Sequence, residues 1–218
     1  MIKNTRVATG PQNSPDKKLH SLLASMVAFV PTQMLCNKID ELVAKGANVN
    51  GEKGQGELLL LAVNHANAVA LGELLARGAD PHVQVRQDGC STTLLHVAAG
   101  KGKHRAPRVI LMLVAAGLDP YETKDSNGLT AKAIAMEFEG VSPIFSYPLH
   151  FSVRVRDMPL CSEFLRRGFN PDTTDHRGDS PAKLAKTMAM KDICALFDAD
   201  KARREINDLM RQHCRALH

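Results

Sequence analysis

Histidine and cysteine are the side chains most able to do chemistry here, and the chain holds nine and five of them. His96 stands in "TLLHVAA", from Thr93 to Ala99, and His150 in "YPLHFSV", from Tyr147 to Val153. No Ser-His-Asp set or carboxylate pair stands out around either, although triads can assemble from distant positions. His213, Cys214 and His218 crowd the C-terminus together with Asp208. A structural zinc site needs a closed set of four ligands. Neighbours on a helix such as His213 and Cys214 do not share a face, and Cys36, Cys90, Cys161 and Cys194 are scattered without a CxxC pair. No metal and no cofactor are expected. "GEKGQG", from Gly51 to Gly56, has glycines but no GK[ST] after it, so it does not read as a phosphate loop. The expected class is therefore not an enzyme. The enzymatic alternative would use His150, inside an irregular stretch from Gly140 to Arg156.

Anion binding is the next chemistry to weigh. Lys101, Lys103, His104, Arg105 and Arg108 cluster in and beside "GKGKHRAP", and further cations sit at Arg154, Arg156, Arg166, Arg167 and through residues 201–218. The net charge of +5 is mild for 218 residues. Single-strand binding also asks for stacking aromatics beside the cations. The chain has two tyrosines and no tryptophan, and Asp157, Glu205 and Asp208 interrupt the basic runs. These features argue against nucleic acid. An anionic ligand, such as a phosphorylated headgroup held by the basic insert and the C-terminal tail, stays as the alternative to protein binding.

What positions these residues is a phrase that occurs four times. "LVAKGANVN" (Leu42–Asn50), "LLARGADPH" (Leu74–His82), "LVAAGLDPY" (Leu113–Tyr121) and "FLRRGFNPD" (Phe164–Asp172) share one pattern. Gly46, Gly78, Gly117 and Gly168 each follow an apolar stretch, where glycine closes a helix in the left-handed conformation. Asn48, Asp80, Asp119 and Asn170 come two residues later and suit a side-chain-bonded turn. Pro81, Pro120 and Pro171 then stop the helix from resuming; Val49 takes that place in the first copy. Upstream lie Ile39, Leu42 and Val43; Leu71, Leu74 and Leu75; Ile110, Leu113 and Val114; and Cys161, Phe164 and Leu165. Spacing of i, i+3, i+4 puts each trio on one helix face. A second phrase, "TLLHVAA", "GLTAKAIA", "YPLHFSV" and "GDSPAKLA", supplies small-residue helices with Thr or Ser as expected N-caps.

Short antiparallel helix pairs, a Gly-Ala-Asp-Pro turn and a T-P-L-H-like phrase resemble the ankyrin repeat, whose period is about 33 residues. The resemblance covers roughly residues 18–200. It implies an all-α solenoid of stacked helix pairs with β-hairpin-like fingers, about five repeats including degenerate ones. It also implies that His96 and His150 bond backbone and tie neighbouring repeats together. Such arrays bind proteins on a concave surface of finger tips and inner helices. That points to Gln84, Arg86 and Gln87 with Val83, Val85 and Asp88; to Glu122, Lys124 and Asp125; and to Asp175, His176 and Arg177. From the inner helices it adds Asn64, His65 and Asn67, Lys101 and Lys103, and Arg154, Arg156 and Asp157. The expected function is a non-enzymatic protein-binding module, read as monomeric. A small, irregular array resembles bacterial members of the family, so the partner is expected to be the target of an effector or a cognate enzyme that the chain inhibits.

The ends and the middle depart from the pattern. Residues 1–16 read as a disordered tail, 17–200 as the repeat array, and 201–218 as a capping helix with Ile206, Leu209 and Met210 on one face. After "GLTAKAIAMEFEG" no second helix follows, and an irregular connection is expected from about Gly140 to Ser146. An odd number of cysteines without paired spacing fits a reducing compartment. With no apolar leader in the first twenty residues and no long apolar run, a cytoplasmic protein without a membrane span is expected. Secretion without a cleaved signal stays open.

Overall fold

The computed structural model describes residues 14–25, 32–51, 56–87, 89–101, 106–137 and 142–216. The described residues are mostly helical, consistent with an all-α chain, with one small hairpin among them. It divides into two compact units, Met1–Ser142 and Pro143–His218. Among the described residues no helix is long and apolar enough to cross a membrane.

The first unit is built from α1 (Pro15–Ser25), α2 (Thr32–Ala44), α3 (Glu57–Asn64), α4 (Ala68–Ala76), α5 (Leu94–Ala99), α6 (Pro107–Ala115) and α7 (Ala131–Met136). Strands β1 (Gln84–Gln87) and β2 (Cys90–Thr93) form an antiparallel hairpin with Gln84 opposite Thr93 and Gln87 opposite Cys90. Helices α1 and α2, α3 and α4, and α5 and α6 pair with each other. α1, α3, α5 and α7 then make one row, and α2, α4 and α6 a second. The apolar stripes explain the rows. Leu35, Ile39 and Leu42 of α2, Leu71 and Leu74 of α4, and Ile110 and Leu113 of α6 are all buried. The third members of the stripes, Val43, Leu75 and Val114, are half-buried at the edge. Burying one such side chain contributes about 1.5–3 kcal/mol, so the stripes outweigh any single turn in holding the unit together. All six residues of α5 are buried, which places His96 inside the unit.

The second unit contains α9 (Pro148–Arg154), α10 (Met158–Arg166), α11 (Pro181–Thr187) and α12 (Lys191–Ala216). α9 pairs with α10 and α11 with α12, while α9 packs on α11 and α10 on α12. Cys161, Phe164 and Leu165 are buried, as their spacing requires.

The four helix stops behave alike. Gly46, Gly78, Gly117 and Gly168 have φ of +92°, +84°, +102° and +89°. After each, the short polar side chain accepts a backbone N–H two residues on. The pairs are Asn48 with Asn50 (2.9 Å), Asp80 with His82 (2.9 Å), Asp119 with Tyr121 (2.6 Å) and Asn170 with Asp172 (3.0 Å). Thr130 and Ser180 cap α7 and α11 by accepting from the N–H groups of Ala133 and Lys183.

Four expectations are corrected. Thr93 makes no cap bond; its hydroxyl is turned to His96 instead. The connection before Ser146 is not irregular throughout, because Ser142–Ser146 form a short helix, α8, that buries Ile144 and Phe145. Pro15 and Asp16 belong to α1 rather than to a tail, and residues 1–13 lie outside the described residues. Finally, residues 201–216 are no separate cap. They continue α12 without a break, and Ile206, Leu209 and Met210 are exposed rather than packed on the unit.

Candidate functional site

The two histidines are structural in their geometry. His96 is 2 % exposed, and its Nε2 lies 3.0 Å from the carbonyl oxygen of Leu129. A carbonyl can only accept, so Nε2 carries the proton and Nδ1 accepts from the Thr93 hydroxyl at 2.7 Å. In the second unit, His150 Nε2 donates likewise to the Asp179 carbonyl at 2.9 Å, and its ring meets Tyr147 edge-on. Burial pushes the His150 imidazole below its ordinary pKa, with the Asp179 carbonyl and the Asp175 charge opposing. Each carbonyl bound by a histidine belongs to a turn closed by an aspartate. Asp125 accepts from the N–H groups of Asn127 and Leu129, both at 2.9 Å. Asp175 accepts from those of Arg177 (2.9 Å) and Asp179 (3.1 Å).

Those bonds decide what the fingers can offer. Asp125 is half-buried and Asp175 is buried, so both candidates serve their own turns. Burial works against the Asp175 charge, but the two N–H donors hold its carboxyl below the usual range. Val85, expected at a finger tip, is 2 % exposed because alternate residues of a strand face opposite sides. Asn67 and Asp157, expected on the inner-helix surface, are the N-caps of α4 and α10, accepting from Ala70 at 3.0 Å and Leu160 at 3.1 Å.

Several of the remaining candidates of the first unit are exposed. Gln84 and Arg86 are exposed on β1, with Gln84 Oε1 accepting from the Ser91 hydroxyl at 3.1 Å. Gln87 pairs through its backbone with Cys90. The next finger carries exposed Glu122 and Lys124, with a ladder bridge between Lys124 and Thr130. The Ser126 N–H donates to the Ser91 carbonyl at 3.0 Å, tying the two fingers side by side. At the ends of the helices, Asn64 is half-buried, His65 is exposed and Lys101 is half-buried. Lys103, with His104 and Arg105 of the basic insert, lies outside the described residues, as do Asp88 and the side chain of Gln87. One residue escaped the sequence reading: Tyr121 is 47 % exposed, with the Lys132 ammonium 4.7 Å above its ring. It directly follows the turn proline, where nothing in the sequence separates a display position from a packed one.

In the second unit Arg154 and Arg156 are exposed at the end of α9. The Arg154 guanidinium lies 5.2 Å over the Phe151 ring and 3.7 Å from the Asp175 carboxylate. His176 is exposed, its ring 5.9 Å from that of Tyr147, and Arg177 is exposed beside it.

Two of the cysteine thiols are held in the protonated form. Burial, reinforced by the Asp157 charge, pushes the Cys161 thiol up to about 12, which keeps it protonated. Burial and the neighbouring Glu73 also raise Cys36. Among the described residues no group of three His, Cys, Asp or Glu could hold a metal ion. His213 is exposed near the end of α12, while His218 and the side chain of Cys214 lie outside the described residues.

Neither the family models nor the curated proteins contain a match to this chain.

Proposed function

We propose that this chain is an irregular member of the ankyrin-repeat class and acts as a non-enzymatic protein-binding module. The likeness to that class is supported by the paired helices, the four glycine-closed stops and the histidine-to-carbonyl ties. The binding surface is the finger face of the first unit, presenting Gln84, Arg86, Glu122, Lys124 and Tyr121. The observation that carries the reading is the Ser126-to-Ser91 bond, which fixes one finger against the next. A backbone already held by hydrogen bonds loses little conformational freedom when a partner docks. The mixture of Arg86 and Lys124 with Glu122 suits a protein surface better than a polyanion. The exposed tyrosine adds the kind of anchor that interfaces favour. The partner is then a folded protein whose surface opposes two cations and one carboxylate.

The test is affinity capture from the native source, with the wild-type chain against Arg86→Ala combined with Lys124→Ala. A protein held by wild type at physiological salt and lost by the folded double variant supports the reading. Retention of nucleic acid or anionic lipid instead, released steeply by salt, would replace it with the anionic-ligand alternative.

A further inference from the structure

Helix α12 uses two different faces along its length. In its first half Ile193, Phe197 and Asp200 are buried, and Asp200 ion-pairs with Arg203 and Arg204. In its second half Ile206, Leu209 and Met210 are 57, 65 and 62 % exposed. At about 100° per residue the two sets lie roughly 150° apart around the helix. The second stripe therefore points away from the body that the first face grips, and bending the helix back would pull Ile193 and Phe197 out of their packing. At the junction lies a groove lined by Leu165, Leu196, Ala199 and Arg203. The apolar stripe continues from it.

The stripe has the pattern of a two-stranded seam. Ala199, Ala202, Ile206, Leu209 and His213 follow one another at spacings of three and four, the a and d positions of a heptad. We propose that this face pairs in parallel with α12 of a second copy of the chain, revising the expectation of a monomer. Three features select that occupant. Ile206 falls at an a position and Leu209 at a d position, the combination that favours two parallel strands. Asp198 falls at g and Arg203 at e, so in a parallel pair Asp198 of each copy faces Arg203 of the other. Ala199 and Ala202 bring little area to a membrane, but they let two helices approach closely. The His213 pair is a polar layer that fixes the register. The helix is already held at its base by α10 and α11, so pairing need not bear the nucleation cost of an isolated short helix.

Sedimentation of the full chain from micromolar to millimolar concentration tests this. Wild type should pass from monomer to dimer. Leu209→Asp and Ile206→Asp should each weaken dimerisation at least about tenfold, since both copies lose a buried side chain. Both positions are exposed in the single chain, so helicity by circular dichroism should be unchanged. Asp198→Arg should weaken the dimer, because it sets an arginine against Arg203 of the other copy. A chain that stays monomeric, a dimer indifferent to Leu209 and Ile206, or binding to anionic vesicles through this stripe without self-association would overturn the proposal. A dimer that Asp198→Arg leaves unchanged would overturn the parallel arrangement.

Discussion

The imidazole of His96 lies 3.0 Å from the carbonyl oxygen of Leu129, on the loop that leads into the next helix of its row. The same relationship recurs between His150 and Asp179 in the second unit. In both cases a buried side chain of one short helix fixes the chain just before the following helix starts.

His96→Ala removes this bond and the one from Thr93, whose hydroxyl is left buried without its partner. The expected loss of stability is about 2–4 kcal/mol, from two hydrogen bonds plus the cavity. His96→Gln, which can keep one amide donor, should recover part of it. Urea unfolding measures both, and a His96→Ala midpoint equal to wild type would remove the structural role assigned here.

The helix-closing glycines separate backbone strain from crowding. Gly78 has φ +84° and open space where a Cβ would stand. Gly78→Ala should cost about 1–2 kcal/mol from conformation alone. At Gly56, φ +68°, an added Cβ would clash with Val83 Cγ2. Gly56→Ala should therefore lower the melting temperature more than Gly78→Ala, and the reverse order would contradict this account.

Three residues without glycine's freedom hold left-handed backbone at matching turns between paired helices: Ala66 (φ +51°), Arg156 (φ +56°) and Ala189 (φ +54°). Glycine relieves that strain but has more freedom to lose on folding. Each change to glycine should then stabilise by up to about 1 kcal/mol. Melting of Ala66→Gly and Ala189→Gly checks the sign, and a loss at both would show that the alanine methyl groups contribute more than the strain removes.

His150 makes stability depend on pH. Burial lowers its folded pKa below the ordinary 6.5, so the unfolded chain binds a proton more readily. Its contribution is present above pH 6.5 and is lost as pH falls toward the lower folded value. Unfolding free energy, read from denaturant midpoints, should drop between pH 7.5 and 5.5, and the drop should shrink in His150→Gln. Equal slopes for the two proteins would assign the effect to other groups.

Much of the local architecture was legible because its causes are local. A glycine after an apolar helical run and a short polar residue two places on dictate a stop whatever surrounds them, and a proline beyond reinforces it in three of the four copies. All four stops formed as that grammar requires. The i, i+3, i+4 stripes likewise fixed which helix faces are buried.

Tertiary structure decided how polar residues are used. Asp125 and Asp175 read as display residues, yet their carboxylates close turns that neighbouring histidines then grip. Val85 read as a finger tip and became core through strand alternation against its own unit. The left-handed turns at Ala66, Arg156 and Ala189 gave no signal because no glycine marks them. Periodicity alone put Ile206, Leu209 and Met210 on one face of a terminal helix. It could not say which way that face points, because the direction is set upstream, where Ile193 and Phe197 anchor α12 by its other side. Sequence determines a helix and its stripe through spacing along one axis, whereas the rotation of that axis comes from the packing of residues elsewhere in the chain.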